Sequence, residues 1–194
     1  MFKFFGGALA AAVVILVAGY GYVRLGFFDP RADMAMSSVE QKIAMPSLDA
    51  AVDRRAEDVK NPLQPTEENL IAGARIYQAD CASCHGDVHK PHAALAESLY
   101  PRAPQFMEDA PDMPENQNHY IIQHGIRLTG MPAWNKVLSD EQMWQVTTLL
   151  SHLDKLPPRV TEAWKGMSGA TEDAQSSKVE AKDDMMAKGT MHMH

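Results

Sequence analysis

Cys81-Ala82-Ser83-Cys84-His85 decides how this chain is read. These two thiols are the only cysteines in its 194 residues, and a histidine follows the second directly. C-x-x-C-H in this order is the attachment signature of a c-type haem. Each thiol can add to one haem vinyl group as a thioether. The two intervening residues let the chain span both attachment points, and His85 then falls beneath the iron, able to bind it through Nε2. A dithiol redox pair would call for a βαβ context, and a zinc site for a second ligand pair. Neither pattern occurs. The expectation is one covalently attached haem c, held by Cys81 and Cys84, with His85 as an axial ligand.

Helix signals lie on both sides of the motif. Thr66 is a good N-cap, and Glu67 and Glu68 suit the positive end of the helix dipole. Leu70, Gly73, Ala74 and Tyr77 then fall at helical spacing and lead into Cys81. A second helix is expected from Pro114 or Glu115 to His124, with Pro in the first turn and Gly125 at the stop. Ser139-Asp140-Glu141-Gln142 fits a capping box, and Met143 to Leu153 carries the apolar face of a last helix that Pro157-Pro158 closes. No strand pattern is seen. The expected domain, residues 62–158, is all-α with long loops, and haem would supply the core that such loops need.

A second axial ligand must arrive from the opposite haem face. Met107 and Met113 leave little chain to wrap around the ring, and Met143 reads as helix packing. Met131, in Gly130-Met131-Pro132-Ala133-Trp134, follows a helix and its glycine stop, with enough chain after His85 for one helix and a crossing loop. Pro132 stiffens that loop. Met131 is therefore the expected sixth ligand, since Met/His pairing is an established haem ligation that raises the potential. His119, His124 and His152 are reserve candidates.

The ends differ from the middle. Phe4 to Val23 is an uncharged run between Lys3 and Arg24, as long as a helix crossing a bilayer. Residues 1–28 read as a membrane anchor in contact with lipid through residues 4–23. The competing reading is a cleaved signal peptide, but no A-x-A site follows the run. Residues 29–61 read as a tether, with Pro30, Pro46 and an optional short helix from Ser47 to Val59. A fully flexible chain of the 38 residues from Arg24 to Asn61 would span roughly 35 Å. Residues 159–194 read as a disordered tail in which Trp164 is the exception, able to dock on the domain. Met185-Met186 and Met191-His192-Met193-His194 raise a copper-binding alternative to plain disorder.

Tyr77-x-x-x-Cys81-x-x-Cys84-His85-Gly86, followed by Gly125-Ile126-Arg127-x-Thr129-Gly130-Met131-Pro132-Ala133-Trp134, resembles a class I c-type cytochrome. The likeness is to the bacterial, membrane-anchored, single-haem kind, near the cytochrome modules of haem–copper oxidases. It covers roughly residues 62–158 and implies a cytochrome c-like helical domain wrapped around one covalent haem. It further implies that the first and last helices cross near Gly73, Tyr77 and Trp144. The ligand histidine is expected to donate its other nitrogen to a carbonyl in Leu99-Tyr100-Pro101-Arg102-Ala103-Pro104. Arg102 and Arg127 are candidate propionate contacts. Since such proteins mature on the outer side of the energy-coupling membrane, the haem domain is expected in the periplasm, on a single-pass protein of the bacterial inner membrane.

The expected role is that of an electron carrier rather than an enzyme, passing single electrons between respiratory redox proteins in the membrane or periplasm. The alternatives are a permanent relay subunit of a membrane dehydrogenase or oxidase complex and, less favoured, a haem-based redox or gas sensor. A net charge of -7 argues against nucleic acid as a partner. Residues 62–158 hold twelve acidic and six basic side chains, so a weakly charged or acidic docking surface is expected.

Overall fold

The computed structural model describes residues 2–27 and 29–167. The chain divides into two units, Met1–Met34 and Ala35–His194. All regular structure among the described residues is helical.

The first unit is built on α1 (Phe2–Arg24). Its large side chains from Phe5 to Val23 are half or more exposed, on every side of the helix. By length and composition the Phe5–Arg24 stretch suffices to cross a membrane. No polar face interrupts it, as a helix lying against a soluble core would require.

In the second unit, α3 (Glu67–Asp80) and α6 (Asp140–Leu150) form the most extensive helix pair. Thr66 caps α3 by accepting from the Asn69 amide at 3.3 Å. Ser139 and Gln142 form the expected reciprocal box at the start of α6, at 3.2 and 2.8 Å. The two helices touch at Gly73, where a Cβ would stand 2.3 Å from the Gln145 carbonyl oxygen. Only glycine permits that approach. α4 (Ala82–His85) is a single turn after α3, and α5 (Glu115–His124) packs on α6. The core gathers Ala74, Tyr77, Ile122, Met143, Val146 and Leu149.

Two segments differ from the sequence expectation. Within the 29–61 stretch read as a tether, α2 runs from Ser38 to Arg55, ten residues earlier than the optional helix assumed. Its cap is Ser37, boxed with Glu40, and not Ser47. Pro46 lies inside the helix, where proline usually acts as a breaker. What holds the helix is tertiary contact. Val52 is 2% exposed, Gln117 Nε2 donates to Asp53 at 3.3 Å, and Asn116 Nδ2 donates to the Glu57 carbonyl at 2.9 Å.

The second difference is at the other end. Residues 158–167 continue as helix α7. Val160 and Trp164 are fully buried. Trp164 meets Tyr77 edge-on at 5.3 Å and donates Nε1–H to Gln78 Oε1 at 2.9 Å. The packed domain thus extends past 158, because an indole this large buries enough surface to order a polar turn around it. The Met- and His-rich stretch from Met185 to His194 lies outside the described residues.

Candidate haem site

α3 delivers Cys81 at its C-terminal end, and the α4 turn closes by amide bonds from Cys84 and His85 to the Cys81 carbonyl at 3.1 and 3.0 Å. Gly86 follows with φ +78°, and a Cβ there would lie 2.2 Å from the Pro91 carbonyl oxygen. The chain can turn away beneath His85 only with glycine at this point. The buried Tyr77 hydroxyl donates to the Gly86 carbonyl at 2.8 Å. Burial pushes its pKa far above the usual tyrosine value, so it stays a neutral donor.

His85 is held from one side. Its Nδ1–H donates to the Pro104 carbonyl at 2.9 Å, the tautomer following from a partner that can only accept. Its ring stacks on Phe106 at 4.4 Å with an interplanar angle of 4°. Burial holds the imidazole below its usual range against the opposing effect of the Pro104 bond. A neutral ring with Nδ1 occupied keeps the Nε2 lone pair for a metal. The carbonyl that sequence left open within 99–104 is that of Pro104. Gln105 is a residue the sequence reading missed. It donates to the Cys84 and Ala103 carbonyls at 3.0 and 2.8 Å and accepts the Ala93 amide at 2.7 Å, clamping the loop that carries Pro104 and Phe106.

A cavity of about 490 Å³ opens beside these residues, within the range of small-ligand and cofactor sites. Cys81, Cys84 and His85 line it, as do Ile126, Thr129, Gly130, Met131 and Pro132 from the loop after α5. That loop starts at Gly125, φ +64°, where a Cβ would lie 2.5 Å from the Pro132 carbonyl carbon. Thr129, part of the sequence motif but given no role there, closes it. Its hydroxyl donates to the Ile126 carbonyl at 2.7 Å and accepts the Met131 amide at 3.0 Å. The amide of Ile126 in turn bonds the Met131 carbonyl at 3.2 Å.

The structure therefore brings Cys81, Cys84, His85, Met131 and Arg102 to one cavity. Arg102 there pairs with Glu97 at 2.9 Å, both groups about half exposed. Arg127 is exposed and does not line the cavity. Met45 and Met113 share the wall with Met131, whereas Met143 belongs to the helical core. The reserve histidines lie elsewhere. His119 stacks on Trp144 at 3.8 Å, His124 is tilted against Tyr120 at 4.6 Å, and His152 bonds the Thr148 carbonyl.

These residues fit a covalently bound haem better than the alternatives for C-x-x-C. Burial, with Asp80 and Cys84 nearby, pushes the Cys81 thiol up to about 12. A reactive dithiol needs the opposite shift. Among the described residues no group of three His, Cys, Asp or Glu side chains could hold a metal ion. The cavity wall is mostly apolar, as a porphyrin face requires.

Residues 68–150 match the family model of the cbb3-type cytochrome c oxidase subunit III. Among solved structures, similarity is found to a chain of the Kuenenia stuttgartiensis reducing HAO-like protein complex Kustc0457/Kustc0458. Identity is 23%, the TM-score is 0.42, and the match covers 61% of this chain and 61% of that one. No curated protein sequence matches.

Proposed function

We propose that this chain, whose residues 68–150 form a class I c-type cytochrome domain, carries single electrons between respiratory redox partners through one haem c. Cys81 and Cys84 would hold the haem covalently, and His85 and Met131 would bind its iron. The haem supplies a one-electron iron couple; the chain supplies attachment, orientation and exclusion of water. The observation that carries this reading is the bond from His85 Nδ1 to the Pro104 carbonyl, which leaves Nε2 as the lone-pair nitrogen of a ring that lines the cavity. The Thr129-closed loop supports it by presenting Met131 on the same cavity. Two protein ligands would leave no open iron position, which favours electron transfer over substrate chemistry at the metal. Arg102, on the cavity wall, is the favoured propionate partner and would exchange Glu97 for it. Arg127 would have to swing in from outside.

In this reading α1 anchors the protein in a bacterial inner membrane, with the haem domain in the periplasm where thioether attachment takes place. A second reading, a permanent relay subunit of a membrane oxidase, draws support from the description of the matching family. The primary test is spectroscopic. Haem should stay with the full-length polypeptide through acid–acetone extraction, give low-spin spectra in both redox states, and leave the reduced form inert to carbon monoxide. Extractable haem would remove the covalent site, and carbon monoxide binding would favour a sensor. Partners that co-purify in mild detergent at fixed stoichiometry would favour the relay subunit over a mobile carrier.

A further inference from the structure

The helix α2 lies wholly outside residues 68–150, yet it supplies part of the cavity wall. Met45, Leu48 and Val52 fall at i, i+3 and i+7, one face of a helix. Met45 and Leu48 line the cavity, and Val52 is buried. Asp49, next to Leu48, also lines it. The helix is tied to the domain by side chains of α5. At its C-terminal end Asp53 and Glu57 are held by Gln117 and Asn116 of α5. α5 precedes the loop that carries Met131, so α2 is held to the Met131 side of the cavity.

We propose that α2 is a potential-setting wall of the haem site, with Leu48 and Asp49 as positioning residues of opposite effect. This rests on the haem reading above. Water at a haem edge stabilises the oxidised iron, which carries one more positive charge than the reduced form. An apolar wall that excludes water therefore raises the potential. Leu48 acts in that direction. The Asp49 carboxylate on the same wall attracts the oxidised iron and lowers it. The segment between anchor and cytochrome domain thus contributes to the redox centre beyond joining the two.

The test uses full-length, haem-loaded protein. Leu48→Ser should lower the midpoint potential, and Asp49→Asn should raise it, while both keep the thioether-to-iron absorption band of the wild type. Hydrogen exchange should show the α2 amides protected relative to residues 29–36 in the wild type. Unchanged potentials in both variants, or shifts of the same sign, would overturn the proposal, as would unprotected α2 amides. Asp49→Asn stands alone if Leu48→Ser does not accumulate, because Asp49 is exposed and not needed for packing. Met131→Ala separates the two levels of inference. If that variant retains the thioether band, the axial assignment fails. If it loses the band while Leu48 and Asp49 have no effect on the potential, only the role of α2 fails.

Discussion

His85 Nδ1 lies 2.9 Å from the carbonyl oxygen of Pro104, nineteen residues further along the chain. The bond joins the attachment turn to the 103–106 loop, and the loop is held in turn by the side chain of Gln105. Orientation of the candidate ligand ring is therefore one step removed from a glutamine outside the motif.

Gln105→Ala should leave the Cys84 and Ala103 carbonyls and the Ala93 amide without this partner. Loss of bonds to partly buried backbone groups costs about 1–3 kcal/mol. The denaturation midpoint should fall without a change in m-value, and a midpoint equal to wild type would show that the loop is held by Phe106 and Pro104 alone.

Met131→Ala should keep the covalent haem, lose the low-spin thioether-ligated spectrum, and lower the potential, because Met ligation raises it. Met45→Leu and Met113→Leu, on the same wall, should keep the spectrum. Loss of the thioether band in either control instead would identify a different sixth ligand.

Trp164 is fully buried against Tyr77, beyond the boundary that sequence suggests. Trp164→Ala should cost about 3–5 kcal/mol. Trp164→Phe, which gives up the bond to Gln78, should cost less, on the order of 1–2 kcal/mol. A chain stopped at Pro158 should accumulate poorly compared with one stopped at Met167; equal protease resistance of the two would contradict the role of α7.

His119 is buried on Trp144, and burial holds its imidazole below the usual value of 6.5, with Asp140 at 3.3 Å pulling the other way and His124 adding to the depression. In the unfolded chain this histidine takes up a proton first as pH falls. Its contribution to stability is therefore complete above about pH 6.5 and is lost as pH drops through the folded value. His119→Phe, keeping a ring on Trp144, should flatten the decline of stability between about pH 7 and pH 5. Parallel pH profiles for variant and wild type would show that the group is not linked to folding.

Asp49, Asp80, Asp109 and Asp112 line the cavity, against Arg102 as the one cation there. Electron transfer to a basic partner should slow as ionic strength rises from about 10 to 200 mM, as the Debye length shrinks to about 8 Å or less. A flat dependence would indicate apolar docking around the haem edge.

Much of the site is local, and so it could be read from the chain. Cys81, Cys84 and His85 fall within one five-residue stretch, and their chemistry depends on spacing alone. The Ser139 box, the Thr66 cap and the Gly125 stop are likewise set within one helical turn, and each stands where sequence places it. What only tertiary structure decided are pairings between segments far apart in the chain. Which carbonyl meets His85 depends on how the 99–106 loop folds under α4. Whether Arg102 or Arg127 reaches the cavity depends on the path of two loops. α2 and α7 escaped because their local signals are weak: Pro46 interrupts one, and a polar composition surrounds Trp164 in the other. Their order comes from apolar surface buried against α5, α3 and the cavity, an energy that no local pattern contains.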